Sequence, residues 1–348
     1  MPQKGIYRIL VCRPNHRLGN MLLLTPLIAE LERTYPGAEI DILAEGGIAT
    51  EVFGTFFSVK NIYCLPRRGF KHPWTFLSLL LGIRKTRYDL IVDPCLGSNF
   101  SRAMTKFLTG RYKLGFDDRV AGSGLTHAVP HSVAMRHMAK RAINLVRWVH
   151  ARADDDADNF PCMDIRLTAN EREQGRGMLA GMLSDSAARP RVGIFANATG
   201  AKRYPQAWWR EFIAALMEAI PQADVVEIVP MHGHSMLDSA WPAYYTSDIR
   251  RMGAVMAAVD LLISADCGVM HLAVASSVPT AGLFCVTDPA VYAPYGHDGG
   301  ALQTNDLSAR ESARRIVEAY GEVLARASVA GASHARDGSP DRPRAAIS

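Results

Sequence analysis

The sequence predicts an α/β protein made of two doubly wound domains with parallel sheets. Three observations carry this. The 348 residues fit two domains at roughly 150 residues each. Each half opens with an apolar strand, a polar loop and an amphipathic helix. In the first half these are Arg8 to Arg13, Pro14 to Asn20 and Met21 to Arg33; in the second they are Arg191 to Asn197, Ala198 to Pro205 and Gln206 to Ile220. Finally, Asp260 to Pro289 reads as strand, tight polar turn, helix and strand, the βαβ unit of a parallel sheet.

Taken in order, Arg8 to Arg13 (RILVCR) has the near-continuous apolar character of a buried strand. Met21 to Arg33 places Leu24, Leu27, Ile28 and Leu31 on one helix face, with Pro26 early enough to be tolerated. Tyr35-Pro36-Gly37 stops that helix and Glu39 to Ala44 is the next strand. A helix over Ala49 to Phe57, a strand over Ile62 to Leu65 and a strand over Asp89 to Asp93 follow. Asn99 to Leu108 is a helix, Tyr112 to Gly115 a strand, and His131 to His150 a helix. Thr168-Ala169-Asn170-Glu171 has the pattern of a helix start, and Ser184 to Arg189 that of a polar connector. In the second half, Asp224 to Val229 is a strand, Asp248 to Val259 a helix, and Ser308 to Ala327 a long final helix. These readings divide the chain into a first domain at 1–168, a junction at 169–190, a second domain at 191–327 and a disordered tail at 328–348, rich in Gly, Ser, Pro, Arg and Ala. The final helix is long enough to return to the first domain.

Composition narrows the classes. Apolar content of 48% is ordinary for a globular protein. The six cysteines are scattered without C-x-x-C spacing, which predicts reduced thiols in a cytosolic protein and neither a disulfide framework nor a zinc site. Met1 to Arg8 leads directly into a strand, so no signal peptide is expected. No apolar run approaches the ~20 residues that cross a bilayer. The Asp154 to Asp158 run reads as a solvated loop. Neither half carries G-x-G-x-x-G or the P-loop pattern, which removes support for dinucleotide oxidoreduction and for ATP hydrolysis.

Charge is uneven. Residues 1–150 hold 21 Lys+Arg and 10 Asp+Glu, +11, whereas the remainder is −6. A basic half meets an anionic partner or presents a solvated surface; both remain open. The stretch Arg67 to Arg87 sets an apolar segment, Trp74 to Ile83, between basic ends. It suits either an anionic membrane surface or a buried helix with charged ends.

Asp266-Cys267-Gly268 lies at the carboxyl end of a predicted strand, where ligands of open α/β sheets bind. Gly268 permits close backbone approach, and the helix after it offers unpaired N–H groups suited to phosphate. Asp266 would instead cap the helix if no anion binds.

Leu18-Gly19-Asn20 with Thr25-Pro26, then Lys202, then Asp266-x-Gly268-x-x-His271-Leu272-Ala273, Pro279-Thr280, Thr287-Asp288-Pro289 and Pro294-Tyr295-Gly296 together resemble glycosyltransferase family 9, the bacterial lipopolysaccharide heptosyltransferases. Tyr88 to Asp93, and His137 with Arg141, are lesser matches. The resemblance runs from about Arg8 to Tyr320. It implies a GT-B architecture, two facing Rossmann-like domains with acceptor held by the first and nucleotide-sugar donor by the second. It also implies inverting transfer of heptose from ADP-heptose to the lipopolysaccharide inner core, with no metal or other cofactor. The anionic acceptor accords with the basic first half. The place implied is the cytoplasm, with peripheral contact at the inner membrane left open; no nucleic-acid partner is implied.

Carried over residue by residue, Lys202 would neutralise the leaving diphosphate. Thr199, Asp266, Gly268, His271 and Thr287 would line the donor site. Gly19, Asp93, His137 and Arg141 would stand on the acceptor side. The family usually has Asp after the glycine, proposed as the base for the acceptor hydroxyl, and here that residue is Asn20, which cannot take a proton at neutral pH. His16 is the nearest titratable substitute and Asp93 the second. Members also often carry an acidic residue for the donor ribose near Met231-His232-Gly233-His234; none stands there, and Glu227 lies within the preceding strand. Two rival readings follow: a catalytically silent nucleotide-sugar-binding protein, and a nucleotide-sugar epimerase on a similar fold.

Overall fold

The computed structural model describes residues 5–67, 71, 73–117, 124–150, 159–183, 189–230 and 233–337, with side chains to Arg326 in the last helix. By its own contacts the chain separates into two compact units. Unit 1 holds Met1–Leu167, Cys267–Ser277 and Thr287–His297; unit 2 holds Thr168–Asp266, Val278–Val286 and Asp298–Ser348.

Unit 1 begins with β1 (Arg8–Cys12), α1 (Leu18–Leu22), α2 (Thr25–Thr34), β2 (Glu39–Glu45), α3 (Ile48–Phe53) and β3 (Val59–Leu65). It continues with α4 (Pro73–Lys85), β4 (Tyr88–Asp93), α5 (Asn99–Phe107), β5 (Gly110–Asp117), β6 (His127–Pro130) and α6 (Met138–Trp148). The expected helix from Met21 to Arg33 is two helices. Pro26, without an N–H, sits in the first turn of α2, and Gly19 and Asn20 lie in α1 rather than in a loop. The six strands are all parallel, in the order β3-β2-β1-β4-β5-β6. β1, unexposed from Ile9 to Cys12, lies at the centre. Buried ion pairing of Arg147 with Glu30 at 3.1 Å joins α6 to α2. Both charges have left water, so the pair stands because Arg147 also donates to the Asn159 carbonyl and Glu30 also accepts from Arg33.

Unit 2 runs α7 (Ala169–Met182), β7 (Arg191–Phe195), α8 (Gln206–Ala219), β8 (Asp224–Pro230), β9 (Ala243–Thr246), α9 (Ile249–Met256) and β10 (Leu261–Ala265). The crossover helix α10 (Gly268–Ala275) and the short α11 (Pro289–Tyr292) fall within unit 1; β11 (Thr280–Phe284), β12 (Gly300–Gln303) and α12 (Ala309–Asp337) belong to unit 2. The second sheet is also six-stranded and parallel, in the order β12-β11-β10-β7-β8-β9. Its core centres on Trp209, Phe212 and Leu216 of α8 against Ile316, Tyr320 and Leu324 of α12. α12 thus packs on α8 within unit 2. It also continues helically through residues 328–337, ten residues into the segment expected to be disordered; 338–348 and the Asp154 to Asp158 run lie outside the described residues.

The segment expected as a junction is α7, which starts with a complete capping box. Thr168 accepts from the Glu171 N–H while Glu171 reaches back to the Thr168 N–H. Hydrogen bonds from Arg250 of α9 hold the Glu171 carboxyl at about 2, well below its ordinary value. The short edge strands β6, β9 and β12 escape periodicity because four residues hold no more than two repeats of a period-two pattern.

Candidate functional site

Both sheets have a topological switch point, where successive strands leave to opposite sides. It lies between β1 and β4 in unit 1 and between β7 and β10 in unit 2. Crevices beyond the carboxyl ends of such strand pairs are where open α/β sheets bind ligands.

In unit 2 the loop after β7 and the residue after β10 meet. Lys202 Nζ stands 2.7 Å from Asp266 Oδ2. Lys202 is about one-third exposed and Asp266 is almost wholly buried, so the cation is the reachable partner. Asp266 continues the sheet, its N–H donating to the Leu283 carbonyl. It does not cap α10: the N-cap is Cys267, without a side-chain bond. The Lys202 loop is pinned from beneath. Tyr204 is buried, its hydroxyl 2.6 Å from Thr304 Oγ1 and its ring tilted over Trp208, and the Cys285 thiol meets the Ala201 carbonyl. Thr199, exposed, begins the single helical turn Gly200–Lys202. Glu227 is fully buried and accepts from Ser235 Oγ and the Met236 N–H, so it shapes the loop and cannot reach a ligand. Met231 and His232 lie outside the described residues.

In unit 1 a small pocket at the switch point is lined by Arg13, Asn20, Leu23, Leu24, Pro94, Met138, Arg141 and Ala142. Arg13 Nη2 donates to Asn20 Oδ1 at 3.1 Å, and Asn20 Nδ2 donates to Asn15 Oδ1 at 2.9 Å. The carboxamide is therefore oriented from both ends. Arg141 donates to the carbonyls of Met135 and Arg136. No carboxylate or imidazole is among the lining residues. His16 is elsewhere, its Nδ1 3.1 Å from Glu45 Oε2.

Asp93 departs from expectation. It is fully buried, accepting from Ser101 Oγ at 2.7 Å and from the Cys95 N–H, and pairs with Arg102 at 3.4 Å. Burial raises its carboxyl's pKa. It serves neither as an acceptor contact nor as a base; it ties β4 to α5. His137 precedes α6 and bonds the Ala293 carbonyl at 3.0 Å, its ring edge-on to Tyr295, and burial lowers its pKa.

Gly19 and Gly268 come together within unit 1. A Cβ on Gly268 would lie 2.9 Å from the Gly19 nitrogen, and one on Gly19 would lie 3.3 Å from both Gly268 Cα and the His271 ring. The close approach that Gly268 permits is thus to α1. His271, 2% exposed, packs in the same seam. Thr287 is half-buried, also in unit 1.

Residues 246–318, which include Asp266, Gly268 and His271, match the family model of glycosyltransferase family 9 (heptosyltransferase). A curated relative, lipopolysaccharide heptosyltransferase 1 of Pseudomonas aeruginosa, is 24% identical over 294 residues, covering 80% of this chain and 79% of its own. The chain is similar to glycosyltransferase family 9 over residues 246–318, and to a lipopolysaccharide heptosyltransferase over most of its length. Two solved structures share its fold. The family 9 glycosyl transferase from Veillonella parvula superposes with a TM-score of 0.75 at 15% identity, over 93% of this chain and 99% of its own. An Escherichia coli heptosyltransferase with ADP-2-deoxy-2-fluoro heptose gives 0.63 at 19% identity, over 90% and 99%. The architecture is GT-B: two Rossmann-like units, each with a parallel six-stranded sheet.

Sequence reasoning missed the supports of this site. Arg13 reads only as the last residue of a strand, although a cation seven residues before Asn20, at a strand's carboxyl end, was a usable signal. Tyr204, Cys285 and Thr304 gave none, because their meeting depends on strands far apart in sequence.

Proposed function

We propose that the chain is an inverting, metal-independent transferase that moves heptose from ADP-heptose to a lipopolysaccharide core or related surface glycan. The observation that carries this is the Lys202–Asp266 pair at the second sheet's switch point. A departing diphosphate needs preorganised positive charge, and a lysine already aimed by a buried carboxylate supplies it without rearrangement. The Escherichia coli neighbour solved with an ADP-sugar makes ADP-heptose the donor to test first. Thr199 stands by the same loop; Gly268, His271 and Thr287, assigned to the donor by the resemblance, lie in unit 1. The guanidinium groups of Arg13 and Arg141 at the first sheet's pocket suit an anionic acceptor. Such a donor and acceptor place the work in the cytoplasm.

Asn20 orients the acceptor hydroxyl by hydrogen bonding rather than by taking its proton. His16, held through Nδ1 by Glu45, keeps Nε2 for a proton and is the remaining candidate base. The doubly anchored Asn20 carboxamide also favours a second reading, a protein that binds the nucleotide-sugar without transfer.

ADP release is measured from ADP-heptose with and without heptose-deficient lipopolysaccharide, in the presence of a chelator. The proposal expects release only with acceptor, unaffected by chelation, and an inverted linkage in the product. Saturable binding with no release would establish the second reading instead.

A further inference from the structure

α4 carries apolar side chains on two opposite faces. Leu80 and Ile83 are buried, and with Phe76 and Leu79 they pack into the core that includes Leu65, Tyr88 and Leu108. The outer face presents Trp74, 82% exposed, Leu77 at 43% and Leu81 at 45%. Their spacing of three and four residues lines them along one stripe. Phe100 of α5 is also exposed, at 47%, its ring 6.3 Å from that of Phe76 on the core-facing side of α4. Single exposed apolar residues need no explanation, but three along one helix stripe mark an interaction surface.

The charge around the stripe identifies the partner. From Val52 to Tyr88 the sequence has seven Lys and Arg residues and no Asp or Glu. Lys71 precedes α4, Arg84 and Lys85 end it, and Arg87 follows. Arg84 lies over the Phe107 ring at 4.6 Å; burial, and then Arg84's charge, lowers the Lys113 pKa, and Lys113 donates to the Lys106 carbonyl. Cations therefore gather near the C-terminal end of α4 on two neighbouring elements. Among the described residues no acid pairs with Lys71, Lys85 or Arg87. A protein partner's surface would ordinarily meet such a helix with some charge alternation; an apolar stripe bordered by one sign of charge suits a bilayer of anionic lipids. With 13 residues α4 is about 20 Å long at 1.5 Å per residue, too short to span and right for lying in the interface. Trp74, at its N-terminal end, is the residue type that settles at headgroup level.

We propose that the outer face of α4 docks on the surface of an anionic lipid bilayer. This rests on the patch and its charges and stands whether or not the chain transfers a sugar.

The test is co-sedimentation of the full chain with phosphatidylcholine vesicles and with vesicles in which about a third of the lipid is phosphatidylglycerol. Pelleting is expected with the anionic vesicles, weakened by added salt. Trp74→Ser combined with Leu77→Ser and Leu81→Ser should reduce it by about tenfold or more, as should Lys71→Glu with Lys85→Glu and Arg87→Glu. These side chains point outward, so the melting temperature should hold for both variants; a variant that melts early is replaced by Trp74→Ser alone, read by the same assay. Equal pelleting of variants and wild type, or equal binding to neutral vesicles, would overturn the proposal. So would a solution dimer that Trp74→Ser dissociates while vesicle binding is absent, because the stripe would then belong to a second copy.

Discussion

Asn20 is held in one orientation by Arg13 and Asn15, which makes its chemistry unusually readable. Arg13 would stabilise a carboxylate at the same position in its ionised form, ready to accept a proton. Asn20→Asp is therefore expected to raise the transfer rate by about 10²–10⁴-fold, the usual worth of a general base, with the gain declining as pH falls through that carboxyl's pKa. The check is initial-rate kinetics of the single variant beside His16→Ala. If Asn20→Asp leaves the rate unchanged, position 20 is not where a base acts; if it raises the rate sharply while His16→Ala does nothing, His16 is not the substitute base. The sequence showed that position 20 lacks a base; it could not show that Asp93 is sealed beneath α5, because burial is decided by Ser101 and Arg102 across the β4–α5 turn.

At the scale of elements, several helices stand where they do because a glycine lets them. Gly175 of α7 is the sharpest case: a Cβ there would lie 2.1 Å from the Ala254 carbonyl oxygen of α9, a backbone atom that cannot swing aside. Gly175→Ala should push α7 from α9 and strain the Glu171–Arg250 bonds, destabilising the protein by about 1–3 kcal/mol as overpacking does. Denaturant melts of that variant against Gly177→Ala, where a Cβ meets nothing within 4 Å, separate crowding from any change of helix propensity. Equal stabilities would contradict the crossing as described. Long elements were legible from periodicity and capping: α7 from Thr168 and Glu171, α8 from its apolar face. Pro26 was read as tolerated inside one helix, whereas it opens a second, and that break is what places Gly19 and Asn20 on their own helical turn.

Across the whole molecule, the same strand order occurs twice: each unit winds outward from its first strand to both sides, and each has its switch point at that strand. The repeat was visible in the sequence as two strand–loop–helix openings. What the sequence could not yield was which side chains meet at each switch point, since Lys202 meets Asp266 across 64 residues of chain and only through the pairing of β7 with β10. The division into units also could not be read linearly, because 267–277 and 287–297 belong with unit 1 although the strands beside them in sequence belong to unit 2. The functional account depends on Lys202 receiving the diphosphate that Asp266 now holds it ready for. The direct measurement is the rise in melting temperature with ADP concentration for wild type and Lys202→Ala, because a ligand that binds only the folded state stabilises it in proportion to occupancy. The account predicts a saturable rise in wild type, nearly absent in Lys202→Ala, each read against its own ligand-free melting temperature. An equal rise in both proteins would contradict it.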